Sequence, residues 1–345
     1  MSRAAPVSAF AASELETAID RAARSLLARQ HADGHWQFEL EADATIPAEF
    51  MLLQHYLDRV EPALEARIAA FLRATQAEHG GWPLFYGGDF ELSGSVKAYF
   101  ALKAAGDPPE APHMARAREA ILAHGGARRC NVFTRSLLAL FGEVPWRAVP
   151  MMPVEIMLLP RWSPFHIDKV SYWSRTVLVP LLVLMALRPR ARNPRRVTIP
   201  ELFAEPPGEV RGWIAGPTAS PWSRAFGLLD RLLRTAEPFF PAGPRRRAIA
   251  KAVAFVTERL NGEDGLGGIF PAMANSLMMY DCLGYPADHP NVVTAKAAIR
   301  KLLMLDTERP YCQPCLSPVW DTALACHALL EAGGEGAARA RQGLD

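Results

Sequence analysis

The feature that most constrains the fold of this chain is a phrase that occurs twice in full, Gln30-His-Ala-Asp-Gly34-His-Trp36 and Gln76-Ala-Glu-His-Gly80-Gly81-Trp82. A worn third copy reads Asn261-Gly-Glu-Asp-Gly265-Leu266-Gly-Gly268. Each copy follows a run with helical spacing, at residues 22–28, 68–74 and 249–260, so the glycine falls at a helix end and the tryptophan where the chain turns back. A glutamine amide can serve the unsatisfied groups of neighbouring helix ends while its flat face lies on an indole. Gln30, Gly34 and Trp36, and again Gln76, Gly81 and Trp82, therefore read as clamps between helix pairs, and a repeated clamp predicts an α/α toroid.

Composition narrows what such a toroid does. The 345 residues are half hydrophobic, enough for one large core or two smaller ones, and the net charge of +2 argues against nucleic acid as a partner. Five cysteines, an odd number, fit reduced thiols, and the first ten residues lack the apolar stretch of a secretory leader, so a cytoplasmic setting is expected. The longest apolar run, residues 177–187, is interrupted by Pro180 and falls short of the roughly 20 residues needed to span a bilayer.

Spacing near 3.6 predicts helices over residues 14–28, 48–57, 62–76, 95–105, 112–123, 132–141, 171–187, 223–236, 245–260, 272–283, 292–304 and 319–331. Strand-like alternation is absent. Proline or glycine punctuates nearly every gap, as an antiparallel helical array requires. Residues 151–165 are the least regular, and 188–207 form a Pro/Arg-rich link.

Further phrases give the array a family likeness: Ala44-Thr-Ile-Pro-Ala-Glu49-Phe, Val132-Phe-Thr-Arg135, Pro150-Met-Met-Pro-Val-Glu-Ile-Met157, Tyr172-Trp-Ser-Arg-Thr176, Gly267-Gly-Ile-Phe-Pro271 and Leu316-Ser-Pro-Val-Trp-Asp-Thr322. In this order they resemble the N-terminal part of the squalene–hopene cyclases, from about Ala22 to the end of the chain. The resemblance implies two α/α barrels, one inserted after the first helix of the other: residues 1–39 as the first helix of the catalytic barrel, 40–315 as the inserted barrel, and 316–345 as the start of an incomplete second barrel. It also implies cyclisation of squalene or a similar polyprene to hopene or hopanol through a carbocation cascade, an isomerase or hydro-lyase chemistry without metal or organic cofactor.

A carbocation in a dry cavity is stabilised by aromatic faces, tryptophan best of all. Trp173 and Trp320 match cavity indoles of the family, and Phe133, Ile269 and Pro271 match cavity-shaping positions. Each aromatic also has a plain reading as core, which the surrounding phrases outweigh for the two indoles more clearly than for Phe133. Glu49 matches a carboxylate that orients the terminating water; its plain alternative is a carboxylate near a helix start. Three positions depart from the family pattern. Lys97 stands in place of an acid, Asn131 in place of an arginine, and Phe270 in place of a glutamine; a Glu49–Lys97 ion pair is expected still to hold a water, but the balance of hydrocarbon and alcohol is open.

Protonating an alkene takes a strong carboxylic acid, which the family supplies from an Asp-x-Asp-Asp motif. No such motif occurs among these residues. The expectation is half an enzyme, inactive alone, whose partner is a C-terminal half; a non-catalytic lipid-binding fragment is the alternative, and an α/α-barrel glycosidase would need a carboxylate pair that is not identifiable here. Cys312, Cys315, Cys326 and His327 have the residue types of a zinc site, but their spacing argues against one. Trp222, Phe226, Leu229 and Leu233 oppose Arg224, Arg231 and Arg234 on one amphipathic helix. With the resemblance, this points to a monotopic contact with one leaflet of the inner membrane, on its cytoplasmic side, while a homodimer is compatible with the pattern. The arginines of 188–196 and 245–247 meet either anionic headgroups or solvent.

Overall fold

The computed structural model describes residues 9–210, 212–213, 221–262 and 264–343. The side chains of Trp222 and Arg224, and the terminal Asp345, lie outside the described residues. Among those described, thirteen α-helices dominate: α1 (Ala9–Leu27), α2 (Thr45–Tyr56), α3 (Pro62–Ala74), α4 (Leu92–Ala105), α5 (Pro112–Ala123), α6 (Val132–Phe141), α7 (Tyr172–Leu187), α8 (Pro221–Ala236), α9 (Ala242–Arg259), α10 (Phe270–Cys282), α11 (Pro290–Lys301), α12 (Pro318–Ala332) and α13 (Gly334–Gln342). The fold is all-α. All twelve helices expected from spacing are present, and the irregular stretch 151–165 carries only a 3-10 turn at Val154–Leu158. Two small antiparallel hairpins were not foreseen, β1 (Leu260–Asn261) with β2 (Gly265–Leu266) and β3 (Leu303–Met304) with β4 (Tyr311–Cys312), because two residues cannot show alternation.

The chain forms two compact units, one of Glu41–Cys315 and one of Met1–Leu40 with Leu316–Asp345. In the larger unit, helices buried on all sides alternate with helices buried on one face. On α4, Ser93 through Leu102 are buried without a break, and α2 and α10 are nearly as enclosed. By contrast α3, α5 and α9 bury only single stripes, such as Ala248, Ala252 and Val256. Helices apolar all round lie inside and one-sided helices outside, which is the layering of an α/α barrel. Local chemistry sets the boundaries: proline opens α3, α5 and α11, the Asn131 Oδ1 accepts from Thr134 N at 2.9 Å to cap α6, and Gly106 and Gly142 end α4 and α6 in the left-handed region. The unit closes where β4 packs on α2 and α3: Tyr311 stacks on Phe71 at 5.2 Å, and Arg300 on α11 pairs with Glu61 at 2.7 Å.

The clamps have one geometry in both units. Gln76 Nε2 donates to Gly80 O (2.7 Å) and to His113 O on α5 (2.8 Å), while Trp82 Nε1 donates to Leu72 O (2.8 Å) and Trp82 N to Ser95 Oγ (2.9 Å). Gln30 Nε2 likewise reaches Gly34 O (2.8 Å) and Arg339 O on α13 (3.1 Å), with Trp36 Nε1 on Leu26 O (2.8 Å) and Trp36 N on Thr322 Oγ1 (2.9 Å). Each clamp thus ties the end of one helix to the next two. In the smaller unit Trp36 is the centre of a core with Cys326, Leu329 and Ala340. The turn glycine of the second clamp is Gly80 rather than Gly81: its φ of +85° matches +96° at Gly34, and its carbonyl receives the glutamine. Gly81 is needed for a different reason, since a Cβ there would run into the Phe90 ring and Ser95 Oγ. In the third copy Gly267 stands at the indole's position, the preceding Leu266 is fully buried, and Asn261 Oδ1 closes its own turn by accepting from Asp264 N at 2.7 Å.

A Cβ on Gly80 would also stand 2.8 Å from Arg116 O. Gly80→Ala is expected to cost about 2 kcal/mol, from the left-handed backbone plus the clash, and to lower the apparent Tm by several degrees in a thermal melt. A matching substitution at Gly87, φ +72° with open space around it, carries the backbone cost alone and serves as the comparison.

The link at 188–207 is a strap rather than a spacer. Ala191 N donates to Leu140 O (2.8 Å), Arg192 N to Tyr56 O (3.1 Å), Asn193 N to His55 O (3.1 Å) and Arg195 Nη1 to Ala104 O (2.5 Å). These acceptors are the helix-end carbonyls of α2, α4 and α6, which need donors from elsewhere. Its arginines are engaged too: Arg188 with Glu237 (2.5 Å), Arg192 with Asp281 (3.0 Å) and Arg195 with Glu65 (2.8 Å). Burial pushes the Glu65 carboxyl up, but hydrogen bonds from His55 Nε2 (2.6 Å) and Arg195 outweigh it and hold the group below the usual carboxylate range. These three arginines are ion-paired to acidic groups of the fold while staying partly exposed.

Candidate functional site

The inner helices enclose a cavity of about 330 Å³ in the larger unit. Its lining follows helical spacing on each wall: Ile46, Glu49, Leu53 and Tyr56 from α2, Phe133, Ser136, Leu137 and Leu140 from α6, Val177 and Leu181 from α7, and Pro271, Ala274, Asn275 and Met278 from α10. The mouth is toward the helix N-termini, where Phe133 is 53% exposed; Leu140, two turns deeper on the same helix, is buried.

Most of this wall is apolar, and its one ion pair is Lys97 Nζ to Glu49 Oε1 at 2.8 Å. Lys97 is 5% exposed and Glu49 21%, so the ammonium is shut in and the carboxylate faces the cavity. Among the described residues, Glu49 is the group that Lys97 meets at hydrogen-bond distance. The pair is net neutral, so it offers hydrogen bonds to a small polar molecule without a field that would repel a cationic ligand. Asn131 lines the mouth, but its Oδ1 is spent on the α6 cap. Phe270, where the family has a glutamine, is a fully buried apolar wall.

Of the residues singled out from sequence, Glu49, Phe133 and Pro271 meet in this cavity, together with the departures Lys97, Asn131 and Phe270. Ile269 does not line it; half-buried, it sits in a β-bridge to Cys315 at the start of α10. Trp173, 58% exposed in the first turn of α7, stacks edge-on with Tyr172 at 5.7 Å and is also outside the lining. Trp320 is 70% exposed on α12 of the smaller unit. No group of three or more metal-ligating side chains is assembled among the described residues.

Sequence reasoning missed Asn275. Its Nδ2 donates to Val177 O at 3.2 Å, three residues before Pro180 on α7, and both residues line the cavity. The signal was available, since 271, 274, 275 and 278 continue one helical stripe from the Pro271 that had been singled out. The same spacing runs from Glu49 to Leu53 and Tyr56.

Comparison with known proteins gives the family. The family model for the squalene-hopene cyclase N-terminal domain matches residues 19–308. The squalene–hopene cyclase of Zymomonas mobilis is 57% identical over 329 residues, covering 93% of this chain and 50% of that protein. That of Bradyrhizobium diazoefficiens is 56% identical over 334 residues, with 96% and 51% covered, and that of Alicyclobacillus acidocaldarius 35% over 317 residues, with 91% and 49% covered. The chain spans about half the length of the curated relatives it matches. With a family model matching over most of its length, the chain belongs to the squalene–hopene cyclase family, of which it carries the N-terminal domain.

Proposed function

We propose that this chain supplies the N-terminal half of a triterpene cyclase that converts squalene to a pentacyclic hydrocarbon or alcohol, and that it binds the terminating end of the polyene. The observation that carries this is the apolar cavity with a single neutral ion pair, Lys97–Glu49, set behind an open aromatic mouth. At the last cation a water held by the free oxygen of Glu49 has two courses. It takes a proton from carbon, leaving an alkene, or its oxygen bonds to the cation and the excess proton passes to the carboxylate or to bulk water, leaving an alcohol. Phe133 and Pro271 shape the approach to that point, and Trp173 and Trp320 are proposed to stabilise cations once the cavity is completed.

The protonating acid is not among these residues, so we place it in a C-terminal half and propose that this chain alone does not turn over squalene. Exposed Phe226, Leu228, Leu229 and Leu232 on α8, with Phe239 just after it, support a contact with one membrane leaflet through which an oil-soluble substrate reaches the protein. No described helix is long and apolar enough to cross a membrane.

The test is complementation. The chain, mixed or fused with the C-terminal half of one of its relatives, is incubated with squalene and the products are separated by gas chromatography. Pentacyclic product from the completed enzyme and none from the chain alone is the expected result. A folded completed enzyme that leaves squalene unchanged, or turnover by the chain alone, contradicts the proposal.

A further inference from the structure

The cavity does not end at the ion pair. Leu53 lies one helical turn beyond Glu49 on α2 and Tyr56 nearly another, so at 1.5 Å per residue the lining continues about 10 Å past the carboxylate. Leu140, Leu181 and Met278 join them at the same depth from α6, α7 and α10. These five side chains are between 2% and 6% exposed, so the deep part is set back from bulk water. The strap holds the ends of two of these walls, its backbone N–H groups at Ala191 and Arg192 donating to the carbonyls of Leu140 and Tyr56. The Tyr56 hydroxyl is the one side-chain polar group at this depth, and burial pushes its pKa well above the usual phenol range. A polar belt with an apolar pocket behind it has no use for a water-terminated chain that stops at the belt.

We propose that this pocket is a separate subsite that takes the apolar end of an isoprenoid chain extending past the Glu49–Lys97 belt, so that the protein accepts polyprenes about one isoprene unit longer than those ending at the belt. The identity of the chain rests on the polyprene reading above; the pocket itself rests on its lining alone. The branched walls, Leu53, Leu140 and Leu181, match a branched chain end better than a flat ring.

The test uses the full chain and saturated hydrocarbons, so that no chemistry is involved. The protein is equilibrated with 2,6,10-trimethyldodecane or the shorter 2,6-dimethyloctane delivered from a cyclodextrin reservoir, and bound hydrocarbon is measured by gas chromatography. Each buried methylene is worth roughly fourfold in affinity, so the longer chain is expected to bind at one per protein and at least tenfold more tightly. Leu53→Trp, which fills the pocket, is expected to remove that advantage, while Leu181→Ala, which widens it, keeps or increases it. Because Leu53→Trp could fail to fold, Met278→Phe is tested beside it and both are checked by circular dichroism. Non-saturable binding, binding indifferent to both filling variants, or equal affinity for the two hydrocarbons overturns the proposal. A completed enzyme that cyclises squalene while this chain fails the binding test removes the subsite and leaves the cyclase reading standing; the opposite pair of results removes the cyclase reading alone.

Discussion

Glu49→Leu is expected to destabilise the larger unit by about 3 kcal/mol and to lower its apparent Tm by about 6 °C or more, because it leaves the Lys97 ammonium buried with no counter-charge. Breaking a buried pair costs roughly 3–5 kcal/mol in general, and the lower figure applies here since Glu49 is partly open to the cavity. The pair itself has little net worth: desolvation of the two charges offsets most of their attraction. Glu49→Leu with Lys97→Met is therefore expected to recover most of the loss, to within about 1 kcal/mol of the parent, in the same melt. If the double variant is as unstable as the single one, the cost comes from packing and not from the orphaned ammonium.

Trp82→Ala is expected to be at least as damaging. The indole is 1% exposed, and its removal empties a site between α3 and α4, for about 4 kcal/mol, while Leu72 O loses its donor. An apparent Tm lowered by about 8 °C or more, or failure to accumulate as soluble protein, is the expected outcome. Trp82→Phe separates the two contributions, keeping most of the volume but not the Nε1–H, and is expected to cost about 1–2 kcal/mol. The third copy has no indole: Gly267 stands at its position, and the adjoining β1–β2 hairpin supplies hydrogen bonds between its own two strands. A Trp82→Ala protein that melts with the parent would show that the clamp is not what holds the helix pair.

Much of the scaffold was legible in the residues. Helices are local objects, and proline at α3, α5 and α11 and glycine at the ends of α4 and α6 mark them directly, so all twelve expected helices were recovered. The Gln…Trp phrase was legible as a clamp because its two ends lie within seven residues, although only coordinates could show that Gly80 carries the positive φ and Gly81 the close contact. The strap was not legible. Its partners are distant in sequence, as with Arg195 and Ala104 O, 91 residues apart, and an arginine that serves a helix end looks the same as one in solvent. The site was partly legible for a similar reason. The Glu49–Lys97 ion pair was legible and is present at 2.8 Å between α2 and α4, whereas the Asn275–Val177 bond joins two helices 98 residues apart in sequence.

The central claim is that the Glu49–Lys97 pair marks where cyclisation ends, and it is tested most directly by the products of the completed enzyme. Glu49→Gln with Lys97→Gln keeps a hydrogen-bonded pair of similar size but removes the carboxylate, so the protein is expected to fold and to turn over squalene within a few-fold of the parent. The measurement is the ratio of pentacyclic alcohol to pentacyclic hydrocarbon by gas chromatography, expected to shift at least threefold from the parent value. An unchanged ratio at comparable turnover would contradict the account, because the terminating water would then be held elsewhere.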